Sequence, residues 1–210
     1  MWLTYSVIAI ILLIAELAYF RIADKCNIID KPNERSSHST IVLRGGGFIF
    51  SLSMVVWAIL MMVQGNAIAQ YLPFLCGLVL ICGISFWDDV KSLPDSLRMA
   101  VQIISILLMF WSMGLYTAAD SWLWTAVIVV VALFFCVGAT NFINFMDGIN
   151  GITAAYSFAM LLSILLMNRG LGFIEESYLI VAILGVVVFS IFNFRPKGKA
   201  KCFAGDVGSI

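Results

Sequence analysis

Long apolar stretches alternate with polar joints along the chain. Seven of them reach bilayer-spanning length, at about 2–20, 46–64, 71–87, 99–117, 121–140, 151–168 and 178–194. Backbone polar groups in lipid must be satisfied within the segment; a helix does this and an open strand does not, so no strand is expected. The pattern predicts an all-α fold, a polytopic integral membrane bundle of about seven helices. The joints are short except for 21–45, no internal repeat or low-complexity segment shows, and residues 1–210 read as one membrane-embedded domain.

Composition supports lipid as the main solvent. The 210 residues are 62% hydrophobic and only 11% charged, more apolar surface than a water-soluble domain can hide. The net charge is zero, which gives no support to a nucleic-acid partner. Cys26, Cys76, Cys82, Cys136 and Cys202 are odd in number, show no C-x-x-C, and lie partly in apolar runs. They read as reduced packing residues rather than a disulfide framework or zinc site. No Lys or Arg precedes the first apolar run and no usual cleavage site follows it, so a retained helix is expected there rather than a secretory signal.

The distribution of charge says more than its sum. When the joints are numbered alternately, eleven of the twelve Lys and Arg residues fall on one side and only Arg169 on the other. By the positive-inside rule that side is cytoplasmic and the N-terminus lies outside. Four polar clusters share the cytoplasmic side: 21–45, Asp88–Asp89, NFINFMDGINGI (141–152) and the tail from Arg195. Their convergence on one face is the pattern of a site at the membrane–cytosol boundary.

Each cluster has a chemical reading and a plain one. Adjacent carboxylates at Asp88 and Asp89 repel unless a cation offsets them, as Mg²⁺ would; the plain reading is a helix end facing water. Arg98 is a candidate anion clamp or an inside-positive anchor. Asn144, Asp147 and Asn150 recur every three residues and would share one side of a helical turn. Gly148 and Gly151 would let backbone approach a ligand, and the plain reading is helix capping. Lys31, Arg35, His38 and Arg44 with Gly45–Gly47 suit a phosphate, or else close helix packing. In CFAGDVGS, Phe203 could stack on a base and Asp206 reach a metal; an ordinary turn would use the same residues. Glu16 lies within the first apolar run, near enough to its cytoplasmic end to snorkel or pair with Arg21.

The motifs DKPNERSSH with RGGG, the DD pair, N-x-x-N-x-x-DG-x-x-G and F-x-GD-x-GS occur in the order and spacing of one family. From Asp30 to Ile210 the chain resembles the polyprenyl-phosphate N-acetylhexosamine-1-phosphate transferases, multi-pass enzymes of the bacterial cytoplasmic membrane. The RGGG wording is closer to the branch that starts O-antigen, enterobacterial-type or teichoic glycans than to the peptidoglycan branch. The resemblance implies transfer of a sugar-1-phosphate from a UDP-HexNAc to polyprenyl phosphate, with Mg²⁺ (or Mn²⁺) as cofactor, and it leaves room for a homodimer.

It also implies roles. Asp88 and Asp89 match the catalytic acidic pair acting on the lipid phosphate, and Asp147 matches an acidic position important in bacterial members. Asp206 matches the metal-holding aspartate and Asn144 an asparagine implicated with the metal. Asn150 matches a uracil contact and Phe203 the aromatic that stacks on it. Lys31, Arg35, His38 and Arg44 match the first cytoplasmic loop. Many bacterial members carry Asp at the position of Asn150. Family members also continue beyond the position of Ile210 into a loop rich in His and Arg, so the chain is expected to be C-terminally incomplete. Two alternatives stay open: an inactive fragment of such an enzyme, and a transporter using Glu16, Asp88 and Asp89. A transporter would place its substrate site near the midplane.

Overall fold

The computed structural model describes residues 2–30, 42–196 and 199–210. Lys31, Arg35 and His38 lie outside these described residues. Seven long helices follow the seven apolar stretches: α1 (Trp2–Lys25), α2 (Phe48–Val63), α3 (Leu72–Val90), α4 (Asp95–Ser112), α5 (Trp122–Met146), α6 (Ile152–Leu171) and α7 (Glu176–Asn193); a one-turn α8 (Asp206–Ser209) closes the chain. Among the described residues six helical segments are long and apolar enough to cross a membrane, and α2, with 16 residues, is shorter.

Several helices run past their apolar stretches because helical hydrogen bonds are satisfied equally well in water. α5 continues through Asn141 and Asn144 to Met146. α4 starts at Asp95, directly after Pro94, and ends before Gly114, whose φ of +68° breaks the helical backbone.

α2 lies at the centre of the core. Ile49, Ser53, Met54, Trp57, Ala58 and Met61 are buried on it, so it needs the partners more than the lipid. Trp57 donates to Ser177 Oγ at 3.0 Å and stands edge-on to Tyr71 and Tyr178. Gly185 of α7 lets α2 approach closely, since a Cβ there would come within 2.9 Å of Ser53 Oγ. The outer helices show lipid-facing surface: Phe134 and Phe135 of α5 are exposed, as is most of that helix.

Two expectations need correction. The joint after α1 does contain strand pairing, β1 (Ile29–Asp30) antiparallel to β2 (Val42–Leu43), with a parallel bridge from Leu43 to Cys202. These segments leave the helical bundle, and their backbone groups pair with each other where no helix serves them. Glu16 neither snorkels nor pairs with Arg21. It is fully buried, its Oε1 faces Cys202 Sγ at 3.8 Å, and Arg21 is exposed. The turn of α1 that carries it points at the core, and that direction is set by packing.

Candidate active site

One end of the bundle carries the end of α3, the start of α4, the end of α5, the start of α2 and the short α8. Their polar side chains form a connected network. Arg44 Nε contacts Asp89 Oδ1 at 2.9 Å. Asp89 also accepts the backbone N–H groups of Asp206 (2.9 Å) and Val207 (3.1 Å), so it caps α8 as well as pairing Arg44. Arg98 bridges two carboxylates, with Nη1 3.2 Å from Asp88 Oδ2 and Nη2 3.0 Å from Asp206 Oδ2. Asn144 Nδ2 donates to Asp206 Oδ1 at 2.9 Å and to Ser209 Oγ at 2.8 Å.

The adjacent acids therefore have different surroundings. The Asp89 side chain has no exposed surface and is consumed by structural bonds. Asp88 faces the shared cluster, steadied by the Leu93 N–H at 2.6 Å. Burial pushes the Asp206 carboxyl above the ordinary carboxylate range, the hydrogen-bonded Asp88 carboxyl adds to the rise, and Asn144, Arg98 and Arg44 oppose it. Two carboxyl groups in contact repel when both are ionised, and Arg98 offsets one of the two charges. Among the described residues no three His, Cys, Asp or Glu side chains cage a single ion. Mg²⁺ asks for less than a cage: one or two carboxylates, with phosphate oxygens and water completing its shell. Asp88, Asp206 and the Asn144 carbonyl oxygen supply hard oxygen donors of that kind, so the residues fit the ion.

The run 144–150 does not keep one side. α5 stops at Met146, and the turn that follows sends its polar groups apart. Asn144 reaches Asp206, the Thr153 hydroxyl donates to Asp147, and Asn150 Nδ2 donates to the Arg195 carbonyl at 3.1 Å. The three-residue spacing gives a common side only while the helix lasts. Burial raises the Asp147 carboxyl, nearby Asp206 raises it further, and the Thr153 bond lowers it.

The glycines turn out to serve packing at most positions. Gly151 has φ +85° and lies so close under Phe194 that a Cβ would overlap the ring, which corrects its expected role in ligand approach. A Cβ added at Gly148 would meet no heavy atom within 4 Å. Gly46 abuts Cys202, and Gly47 lies directly against Gly208, so the RGGG stretch docks α8 rather than presenting a free cradle. Phe203 is half-buried and tied to Leu43 and Gly46 through its backbone, beside rather than within the carboxylate network.

Residues not singled out from sequence complete the site. Buried Asn193 accepts the Gly151 N–H at 2.7 Å and donates to the Cys202 carbonyl at 2.9 Å, linking the α5–α6 turn to the segment that leads into α8. Its position as the last residue of an apolar helix, two residues before the basic run that starts at Arg195, was the available signal. Thr153 was hidden among ordinary polar residues, and Ser209 closes the F-x-GD-x-GS motif without a role of its own being legible there.

Residues 71–210 match the family described as Glycosyl transferase family 4. The chain belongs to glycosyl transferase family 4. The match spans Asp88 through Asp206 and leaves α1 and the 44–47 segment outside it. Among similar family 4 proteins, one from Bacillus subtilis (strain 168), named "Probable undecaprenyl-phosphate N-acetylglucosaminyl 1-phosphate transferase", is 28% identical over 90% of this chain and 54% of its own length. A phospho-N-acetylmuramoyl-pentapeptide-transferase of Limosilactobacillus reuteri (strain DSM 20016) is 28% identical over 79% of this chain and 55% of its own. The chain thus spans about half the length of the curated relatives it matches.

Proposed function

We propose that this chain carries the catalytic centre of an enzyme that moves a HexNAc-1-phosphate from a UDP-sugar to polyprenyl phosphate, at the cytoplasmic face of a bacterial inner membrane. The observation that supports this reading most directly is the Arg98 bridge between Asp88 and Asp206, with Asn144 on the same carboxylate. Four sequence segments meet there at helix ends, where a membrane-borne acceptor and a soluble donor can both arrive. A transporter path would need such groups along the span, and the exposed basic joints on the same side agree with a cytoplasmic orientation.

In this mechanism an oxygen of the lipid phosphate attacks the β-phosphorus of the UDP-sugar. The new P–O bond forms as the bond from that phosphorus to the oxygen bridging α and β breaks, and the electron pair leaves with UMP. Asp88 takes or positions the charge of the attacking phosphate, Arg98 keeps Asp88 and Asp206 aligned, and Asn144 orients Asp206. Asp89 contributes through Arg44 and α8, whose position sets that of Asp206. Mg²⁺ held by Asp206 and Asp88, with Asn144 beside them, would supply neutralisation of pyrophosphate charge. Positioning and charge compensation account for most of the catalysis asked of such a site. Asn150 and Phe203 are assigned to the uridine, and Lys31, Arg35, His38 and Arg44 to the basic side of the donor site.

The test supplies membranes containing the chain with labelled UDP-GlcNAc, polyprenyl phosphate and Mg²⁺, beside a relative of full family length. Mg²⁺-dependent label in the lipid phase, with UMP released, is the expected result. Wild-type turnover by Asp206→Ala in the full-length relative, at the matching position, would refute the assignment.

A further inference from the structure

Tyr19 sits on the face of α1 that turns into the bundle. That face buries Leu12, Glu16, Tyr19 and Ala23, spaced as one side of a helix. The Tyr19 ring packs on Phe48, with centroids 4.6 Å apart, and stands edge-on to Phe86 at 6.2 Å. A phenyl ring would serve those contacts as well. The hydroxyl does something a phenyl ring cannot: it donates to the backbone carbonyl of Arg44.

Arg44 is thereby held by its backbone on both sides. Its N–H donates to the Ile28 carbonyl at 3.2 Å, and its own carbonyl accepts from Tyr19. The chain then turns through Gly45, whose φ of +79° is left-handed. The next two N–H groups, of Gly46 and Gly47, donate to the Phe203 and Ala204 carbonyls at 2.8 and 2.9 Å. A Cβ on Gly45 would fall 2.5 Å from the Tyr19 hydroxyl, so the hydroxyl fills the inside of this turn. The Arg44 side chain is held differently. It is 36% exposed, and among the described residues Asp89 is the one carboxylate that pairs with it. Packing does not confine a long side chain in that setting, so its aim follows from where the backbone releases it.

We infer that Tyr19 is a positioning residue of the site: its hydroxyl fixes the Arg44 backbone, and the backbone aims the guanidinium at Asp89. Asp89 in turn holds the N–H groups of Asp206 and Val207, so the relay ends at the aspartate that Arg98 and Asn144 also contact. Tyr19 acts through Arg44 and not on a substrate. α1, which lies outside the residues that match the family, thus has a part in the site beyond crossing the membrane. The inference rests on the transferase reading for the reaction that is positioned, and on geometry alone for the order Tyr19, Arg44, Asp89.

The experiment follows the Arg44 Nε–H signal by NMR in the detergent-solubilised, nitrogen-labelled chain, assigned by its loss in Arg44→Lys. The Trp57 indole N–H, which donates to Ser177 in the core, reports general loosening of the bundle. Tyr19→Phe keeps the ring and removes the donor. It is expected to speed exchange of the Arg44 Nε–H with water by roughly tenfold, the scale of one lost hydrogen bond, and to leave the Trp57 signal unchanged. Equal acceleration at both signals means a merely structural hydroxyl and overturns the inference, as does an unchanged Arg44 signal. Gly45→Ala presses on the same hydroxyl from the backbone side and is expected to give the same selective change. It carries the test if the unfolding midpoint shows that Tyr19→Phe has lost its fold. Transfer is measured in parallel, and Tyr19→Phe is expected to lower turnover by a similar factor. Wild-type turnover in a variant whose Arg44 exchanges fast overturns the positioning role. A wild-type chain that shows the Arg44 effect but transfers no sugar phosphate defeats the transferase reading alone.

Discussion

Asp88 and Asp89 are neighbours in sequence, and substitutions should separate them. Asp89→Ala removes the acceptor of two backbone N–H groups and the partner of Arg44. A loss on the order of 2–4 kcal/mol in unfolding stability is expected, read by denaturation in detergent. Asp88→Asn keeps size and the Leu93 contact, so it should lower turnover steeply while the unfolding midpoint barely moves. The raised Asp147 carboxyl gives a pH-linked prediction. The folded state holds this proton more tightly than the unfolded chain does. Its contribution therefore favours folding below the unfolded value and is lost as pH rises through the folded one. Asp147→Asn should flatten that part of the stability profile, measured as the unfolding midpoint across pH. Both carboxylates of the pair stood out in the sequence as candidate site residues, yet their different bond partners did not, because packing across the bundle decides those.

At the scale of elements, α8 is held by backbone contact rather than by its own length. Four residues cannot sustain a helix alone, and its N-terminal N–H groups are satisfied by Asp89. Gly47 and Gly208 face each other without room for a Cβ, and a Cβ on Gly205 would fall 2.5 Å from Asp89 Oδ2. Gly208→Ala should loosen α8, shown by faster proteolysis near the C-terminus and weaker Mg²⁺-dependent nucleotide binding. Gly151→Ala should be harmful for two separable reasons, the Phe194 overlap and the left-handed backbone. Adding Phe194→Ala should restore part of the stability and leave the backbone penalty. Helix existence was readable from apolar runs. Helix ends were not, since Asn141 and Asn144 look like loop residues until α5 carries them forward.

For the whole molecule, the arrangement joins a lipid-facing exterior to one polar end. If the charge asymmetry sets orientation, cysteines introduced beside Asp120 should react with an impermeant thiol reagent applied outside cells. Cysteines beside Lys91 should react only after permeabilisation. The opposite pattern would invert the proposed topology and put the carboxylate network on the wrong face for a UDP-sugar.

The sequence by itself determined the solvent, the helices and the side on which polar residues gather. Each follows from local quantities: hydropathy over a bilayer length, and the count of Lys and Arg in short joints. It also marked Asp88, Asp147 and Asp206 as candidate site residues. Only the tertiary structure decided that Asp89 serves α8, that Gly151 makes room for Phe194, that Asn193 ties the α5–α6 turn to Cys202, and that the Tyr19 hydroxyl reaches the Arg44 carbonyl. Those assignments depend on which surfaces meet across the bundle, and contacts between residues tens of positions apart have no signature in local pattern or composition.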